Sequence, residues 1–96
     1  MEITRHDGTA RGRYEARVPG HDGVAELTYS KLGDTTLVAD HTGVPESLRG
    51  QGVGQALVER LIADAREQGL TIVPLCSFVK VQSERHPEWS DVVRSD

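Results

Sequence analysis

The hexapeptide Arg49-Gly50-Gln51-Gly52-Val53-Gly54 places a glycine at every second position. Glycine permits tight turns and lets a ligand come close to the backbone. A loop of free amides running into a helix N-terminus suits an anion, a phosphate above all. Two familiar phosphate motifs do not fit. A Walker loop requires Lys followed by Ser or Thr at the helix start, where this chain has Gln55-Ala56. A dinucleotide fingerprint counted from Gly50 ends on Gln55, and counted from Gly52 it ends on Leu57, instead of on Gly or Ala.

Two further residues have types suited to group transfer. Cys76 closes an apolar run just before an expected helix, where the dipole favours a reactive thiolate. The bland alternative is a small, buried apolar residue. His41 lies three residues before Val44 on a β-branched stretch, and imidazole suits general-base work near neutral pH. A hydrogen-bonded core histidine is the competing reading. His86 precedes Pro87 and reads better as the end of a helix. The histidines and the lone cysteine lack zinc spacing, so no metal site is expected.

The elements that position these residues follow from periodicity. Residues 13–18 and 24–30 alternate apolar and polar side chains, as half-buried strands do. A third strand covers about Thr35 to Val44, with Leu37, Ala39, His41 and Gly43 expected on one face. Pro45 ends it. An amphipathic helix runs from Gly52 or Val53 to Gln68, its apolar arc formed by Leu57, Val58, Leu61, Ile62 and Ala65. Gly69 is its C-cap. Thr71 to Cys76 forms a short apolar strand, and Ser77 to Arg85 a second helix with Ser77 as N-cap. Residues 1 to about 12 are charged and read as a polar lead-in. The order is β-β-β-α-β-α: an antiparallel meander, a β-α-β crossover and a C-terminal helix. Ligands of such α/β sheets bind beyond the C-terminal ends of the parallel strands, where the glycine loop and Cys76 fall together.

Composition bounds the function. A chain of 96 residues is expected to form one domain, residues 1–96. A net charge of −4 argues against a generic nucleic-acid binder. There is no apolar run long enough to span a membrane, and Met1 to Arg13 carries no signal-peptide core. A single cysteine excludes an internal disulfide framework. A soluble, cytoplasmic protein is expected.

The spacing Arg49-x-x-Gly52-x-Gly54, set between a strand and a helix, resembles the pyrophosphate-binding loop of the GNAT acyltransferases. With Val73-Pro74-Leu75-Cys76-Ser77-Phe78-Val79 and Arg85-His86-Pro87-Glu88, the stretch from His41 to His86 resembles the small, single-domain members of that family. The resemblance implies an α/β, minimal GNAT-like fold without an N-terminal strand, and acetyl-coenzyme A as co-substrate. It implies that the amides of Arg49, Gly50, Gln51, Gly52, Val53 and Gly54 hold the pyrophosphate, with acetyl-pantetheine along Val44. It also implies acetyl transfer to a primary amine, with Cys76 near the acetyl group. Relatives often carry Glu at the position of Gly43, a carboxylate this strand lacks. Two other outcomes stay open: a non-catalytic coenzyme A-binding module, and a small interaction domain with a purely structural loop. The acceptor, the acyl preference and the oligomeric state are not encoded in any of these features.

Overall fold

A computed structural model describes residues 1–94. Five strands form one mixed sheet in the order β1-β2-β3-β4-β5: β1 Glu2–Asp7, β2 Arg11–Arg17, β3 Ala25–Leu32, β4 Thr36–Gly43 and β5 Thr71–Pro74. The first four pair antiparallel, and β5 lies parallel to β4. Helix α1 (Val53–Gln68) makes the crossover from β4 to β5, and α2 (Ser77–Glu84) follows. Short 3-10 turns occupy Glu46–Leu48 and Pro87–Trp89. The expected α/β class and GNAT-like order hold, with one strand added in front. No helix among the described residues is long and apolar enough to cross a membrane.

The added strand corrects the reading of residues 1–12 as a polar lead-in, and with it the expected lack of an N-terminal strand. β1 pairs with β2 along its whole length, from Glu2 opposite Arg17 to Asp7 opposite Gly12. Its charges had masked it, because their partners lie far away in sequence. Arg5 donates to the Tyr29 hydroxyl at 3.0 Å and to Asp64 of α1 at 3.4 Å. Polar groups satisfied in this way cost little to half-bury.

The core lies between the sheet and the helices. Tyr14, Ala16, Ala25, Leu27, Tyr29, Leu37 and Ala39 present one buried face of the sheet, and Leu57, Val58, Leu61, Ile62 and Ala65 of α1 pack on it. Each fully buried Leu, Ile or Val contributes roughly 1.5–3 kcal/mol of transfer free energy. α1 ends at Gly69, whose φ of 70° lets its amide reach back to the carbonyls of Ala65 and Arg66. Val79 of α2 and Trp89, Val92 and Val93 join the same core. The chain then returns to the sheet edge: Ile72 donates to the Val92 carbonyl and Arg94 to that of Ile72. Arg66 secures this return with two bonds to Asp91, at 2.8 and 3.1 Å. The opposite face of the sheet is polar, formed by Arg13, Glu15, Arg17, Glu26, Thr28 and Ser30.

β4 breaks the expected alternation. Thr28 pairs with His41, but the next residue, Tyr29, pairs with Ala39, so Asp40 has no partner across β3. This is a β-bulge, which inserts one residue and resets the facing of all that follow. Leu37 and Ala39 face the core as expected. Beyond the bulge Thr42, paired with buried Leu27, takes the core side, and His41 turns out to solvent.

Candidate active site

The site begins where β4 and β5 part. Their pairing ends at Ala39 opposite Pro74, and proline offers no amide to continue it. The Cys76 amide closes this end with a 2.8 Å bond to the Ala39 carbonyl. β4 runs on through Gly43 to Val44, and among the described residues no strand pairs with it there on its β5 side. Its backbone there is free to pair with an extended ligand.

The glycine loop sits directly beyond. The Glu46–Leu48 turn anchors buried Leu48, and Arg49 follows with its amide bonded to the Glu46 carbonyl at 3.1 Å. Gly50 and Gly52 take left-handed φ values of 80° and 71°, conformations that side chains disfavour. Gly50, Gln51 and Gly52 donate no backbone hydrogen bond among the described residues. Gly52 is also the N-cap of α1, without a side-chain capping bond, and no acidic residue lies in the first turn. The first helix amides therefore remain available to an anion. Val53 is buried, so its side chain serves the core and its amide serves the loop. Arg49 is exposed beside these amides.

Gly54 has a separate reason to be glycine. A Cβ there would lie 2.9 Å from the Phe78 ring and 3.5 Å from a Val44 methyl. Its absence lets α1 begin against both α2 and the end of β4. Val44 is half-buried against the core at this junction.

Cys76 is half-buried and is itself the N-cap of α2, its carbonyl accepting from the Lys80 amide at 3.0 Å. The strand therefore stops at Pro74 and the helix starts one residue earlier than expected, with Ser77 as its first residue instead of its cap. The Cys76 Sγ lies 3.5 Å from the Thr42 hydroxyl. Thr42 is the partner that sequence reasoning missed. The one available signal was Asp40, a residue type disfavoured inside strands.

His41 is not brought to Cys76. The bulge turns it to the opposite, open face, which corrects its expected burial beside Leu37 and Ala39. Its ring leans over Gly43, where a Cβ would lie 3.1 Å from Nε2. His86 stays away from the site, stacked on Trp89 at 4.1 Å with Nδ1 2.9 Å from a Glu88 carboxylate oxygen. Lys80 is exposed on α2. Among the described residues there is no group of His, Cys, Asp and Glu placed to hold a metal ion.

The electrostatically perturbed groups lie elsewhere. Tyr14 donates to Asp64 at 2.7 Å, and burial, reinforced by that bond, pushes its phenol far above the ordinary range. Tyr29 is raised by burial and by its bond to Asp7. Asp7 is lowered, chiefly by that same bond and then by Lys31. This network ties β1, β2 and β3 to α1. It braces the scaffold and does not reach the loop.

Comparison with known proteins accords with this geometry. Residues 13–92 match the family model of the GCN5-related N-acetyltransferases. The chain belongs to that family. It is 28% identical over 86 residues to Protein NATD1 of Danio rerio, covering 88% of this chain and 77% of that protein. To Protein NATD1 of Xenopus tropicalis it is 27% identical over 82 residues, covering 85% and 74%. Among solved structures it resembles a GCN5-like candidate N-acetyltransferase from Staphylococcus aureus, determined by NMR. That match has a TM-score of 0.75 and 33% identity, and covers 99% of this chain and 89% of the other.

Proposed function

We propose that the protein transfers an acetyl group from acetyl-coenzyme A to a primary amine. The observation that carries this reading is the continuity of three features. A loop of free amides opens α1, a stretch of β4 paired on its β3 side alone leads away from it, and Cys76 stands where β4 and β5 part. The amides from Gly50 to Gly54 would hold the pyrophosphate, that of Arg49 being taken by the Glu46 carbonyl, and the backbone at Val44 would align the thioester. Arg49 adds a charge-assisted contact to phosphate. A cytoplasmic location, with no nucleic-acid or membrane partner, accords with a substrate of this kind.

The reaction needs a neutral amine, stabilisation of the oxyanion and a proton for the departing thiolate. His41, on the open face, takes the proton from the incoming ammonium. The amine nitrogen then bonds to the acetyl carbon, and the backbone near Val44 polarises the carbonyl. As the carbon–sulfur bond breaks, the bonded nitrogen releases its surplus proton to solvent, and Cys76 gives its proton to the coenzyme sulfur and recovers one from solvent. Thr42 orients the thiol. The two proton carriers thus act from opposite faces of β4, one on the acceptor side and one on the coenzyme side.

The placement of His41 away from Cys76, together with Gly43, leaves a second reading: a coenzyme A-binding module without turnover. Release of free coenzyme A thiol from acetyl-coenzyme A, measured over a panel of amines, separates the two. Amine-dependent release supports the enzyme. Binding without release on any amine supports the module, and failure to bind at all leaves a structural loop in an interaction domain.

A further inference from the structure

Gly43 is the last residue of β4, directly before Val44, and its Cα partner on β3 is Glu26. The bulge at Asp40 puts Gly43 and His41 on the open face of the sheet, where Glu26 already lies by its alternation with buried Ala25 and Leu27. A Cβ on Gly43 would lie 3.1 Å from the His41 Nε2 and 3.9 Å from the Glu26 Cγ. An imidazole and a carboxylate stem thus flank one small space, kept open because residue 43 has no side chain. Across β2, Glu26 faces Glu15. Like charges directly opposite are destabilising unless compensated. Glu15 is compensated, by Arg13 at 2.9 Å, His6 at 3.2 Å and Arg17 at 3.5 Å. The Glu26 carboxylate has no hydrogen bond or ion pair among the described residues, and neither has the His41 ring. A half-buried acid, set against another acid and given no cation of its own, is an arrangement that a cationic ligand would complete.

We infer that Glu26 binds the ammonium group of the acceptor above Gly43, and so selects cationic primary amines. The inference rests on the acetyltransferase reading, which places the thioester at Val44, one residue away. The ammonium held at Glu26 lies against His41, the group that takes its proton. On the same face a shallow hollow of about 820 Å³ is lined by Arg11, Arg13, Thr28, Ser30 and Asp40 among others; Asp40 and Thr28, the neighbour and the strand partner of His41, are its nearest approach to Glu26. A lysine side chain is an extended primary amine that meets the requirement set by Glu26 and His41.

The test is a titration of Nα-acetyl-lysine amide into labelled protein, with and without saturating coenzyme A, read by amide and imidazole NMR shifts. Nα-Acetyl-norleucine amide, which lacks the ammonium, serves as the control. Saturable shifts at Glu26, His41 and Gly43 with the lysine probe alone are expected. Glu26→Gln should weaken that binding by about tenfold or more, since a charged hydrogen bond is lost, and Glu26→Asp should retain part of it. The Glu26→Gln spectrum without ligand shows whether the variant keeps its fold, and coenzyme A shifts at Arg49 to Gly54 report the underlying reading separately. Equal binding by Glu26→Gln, equal response to norleucine, or no lysine shift at saturating probe overturns the assignment of Glu26. Loss of the coenzyme A shifts in the unsubstituted protein would instead overturn the acetyltransferase reading beneath it.

Discussion

Cys76 meets Thr42 because Asp40 is an extra residue without a register partner on β3, its carboxylate accepting from the Ser30 hydroxyl instead. That one unpaired residue decides which side chains of β4 face the helices, and so which can share a site with Cys76. The residue types were legible in the sequence: a lone cysteine before a helix and a histidine near the end of a strand. Their facing was not, since strict alternation assigns His41 to the core side and Thr42 to solvent, and both assignments reverse. A bulge is a property of two paired strands, and its trace in one of them is only a strand-averse residue such as Asp40. At this scale the prediction concerns Cys76. Cys76→Ala should lower turnover by about a hundredfold or more, the usual contribution of a positioned acid or base. Affinity for acetyl-coenzyme A, measured by calorimetry, should be unchanged. Turnover equal to that of the unsubstituted protein would remove Cys76 from the mechanism.

The glycine loop and α1 were read with nearly their observed boundaries, because their signals are local. Three glycines, an apolar arc at helical spacing and a capping Gly69 all lie within one short stretch. What the sequence could not show is that the glycines differ in purpose. Gly52 is glycine for its backbone: φ is 71° and a Cβ would meet no atom within 4 Å. Gly54 is glycine for packing, since a Cβ would press on Phe78. Their substitutions should therefore separate. Gly52→Val should cost about 1–2 kcal/mol in left-handed strain and abolish coenzyme binding, because its side chain projects into the loop's open space. Gly54→Ala should lower stability by about 1–3 kcal/mol through overpacking. A companion Phe78→Leu change should recover part of that loss. Thermal unfolding and coenzyme titration of the three variants measure both effects; a Gly54→Ala protein of full stability would contradict the packing argument.

The whole molecule is held together by contacts that bridge long stretches of sequence, and these were the least legible. β1 looked like a charged lead-in because its partners, Tyr29 and Asp64, are 24 and 59 residues from Arg5. The same network gives stability a pH dependence. Asp7 titrates below its ordinary value of 3.8 in the folded state, through Tyr29 first and Lys31 second. A carboxyl lowered on folding stabilises above its unfolded value, and that contribution is lost as pH falls through the folded one. Glu15, Glu88 and Asp91 are lowered as well, by Arg13, His86 and Arg66 respectively. The melting temperature should therefore fall as pH drops below about 4, and Asp7→Asn should make that fall shallower. A pH profile identical in the variant would show that the Tyr29–Asp7 contact contributes nothing to the acid limb.

The account stands on coenzyme A entering between the glycine loop and the free end of β4. Titration of acetyl-coenzyme A into isotope-labelled protein, followed by amide NMR, tests this most directly. Saturable shifts centred on Arg49 to Gly54 and on Val44, with small ones at β1, are the predicted result. Absence of shifts at those residues at millimolar ligand would contradict it, reducing the loop to a turn and removing the basis for acetyl transfer.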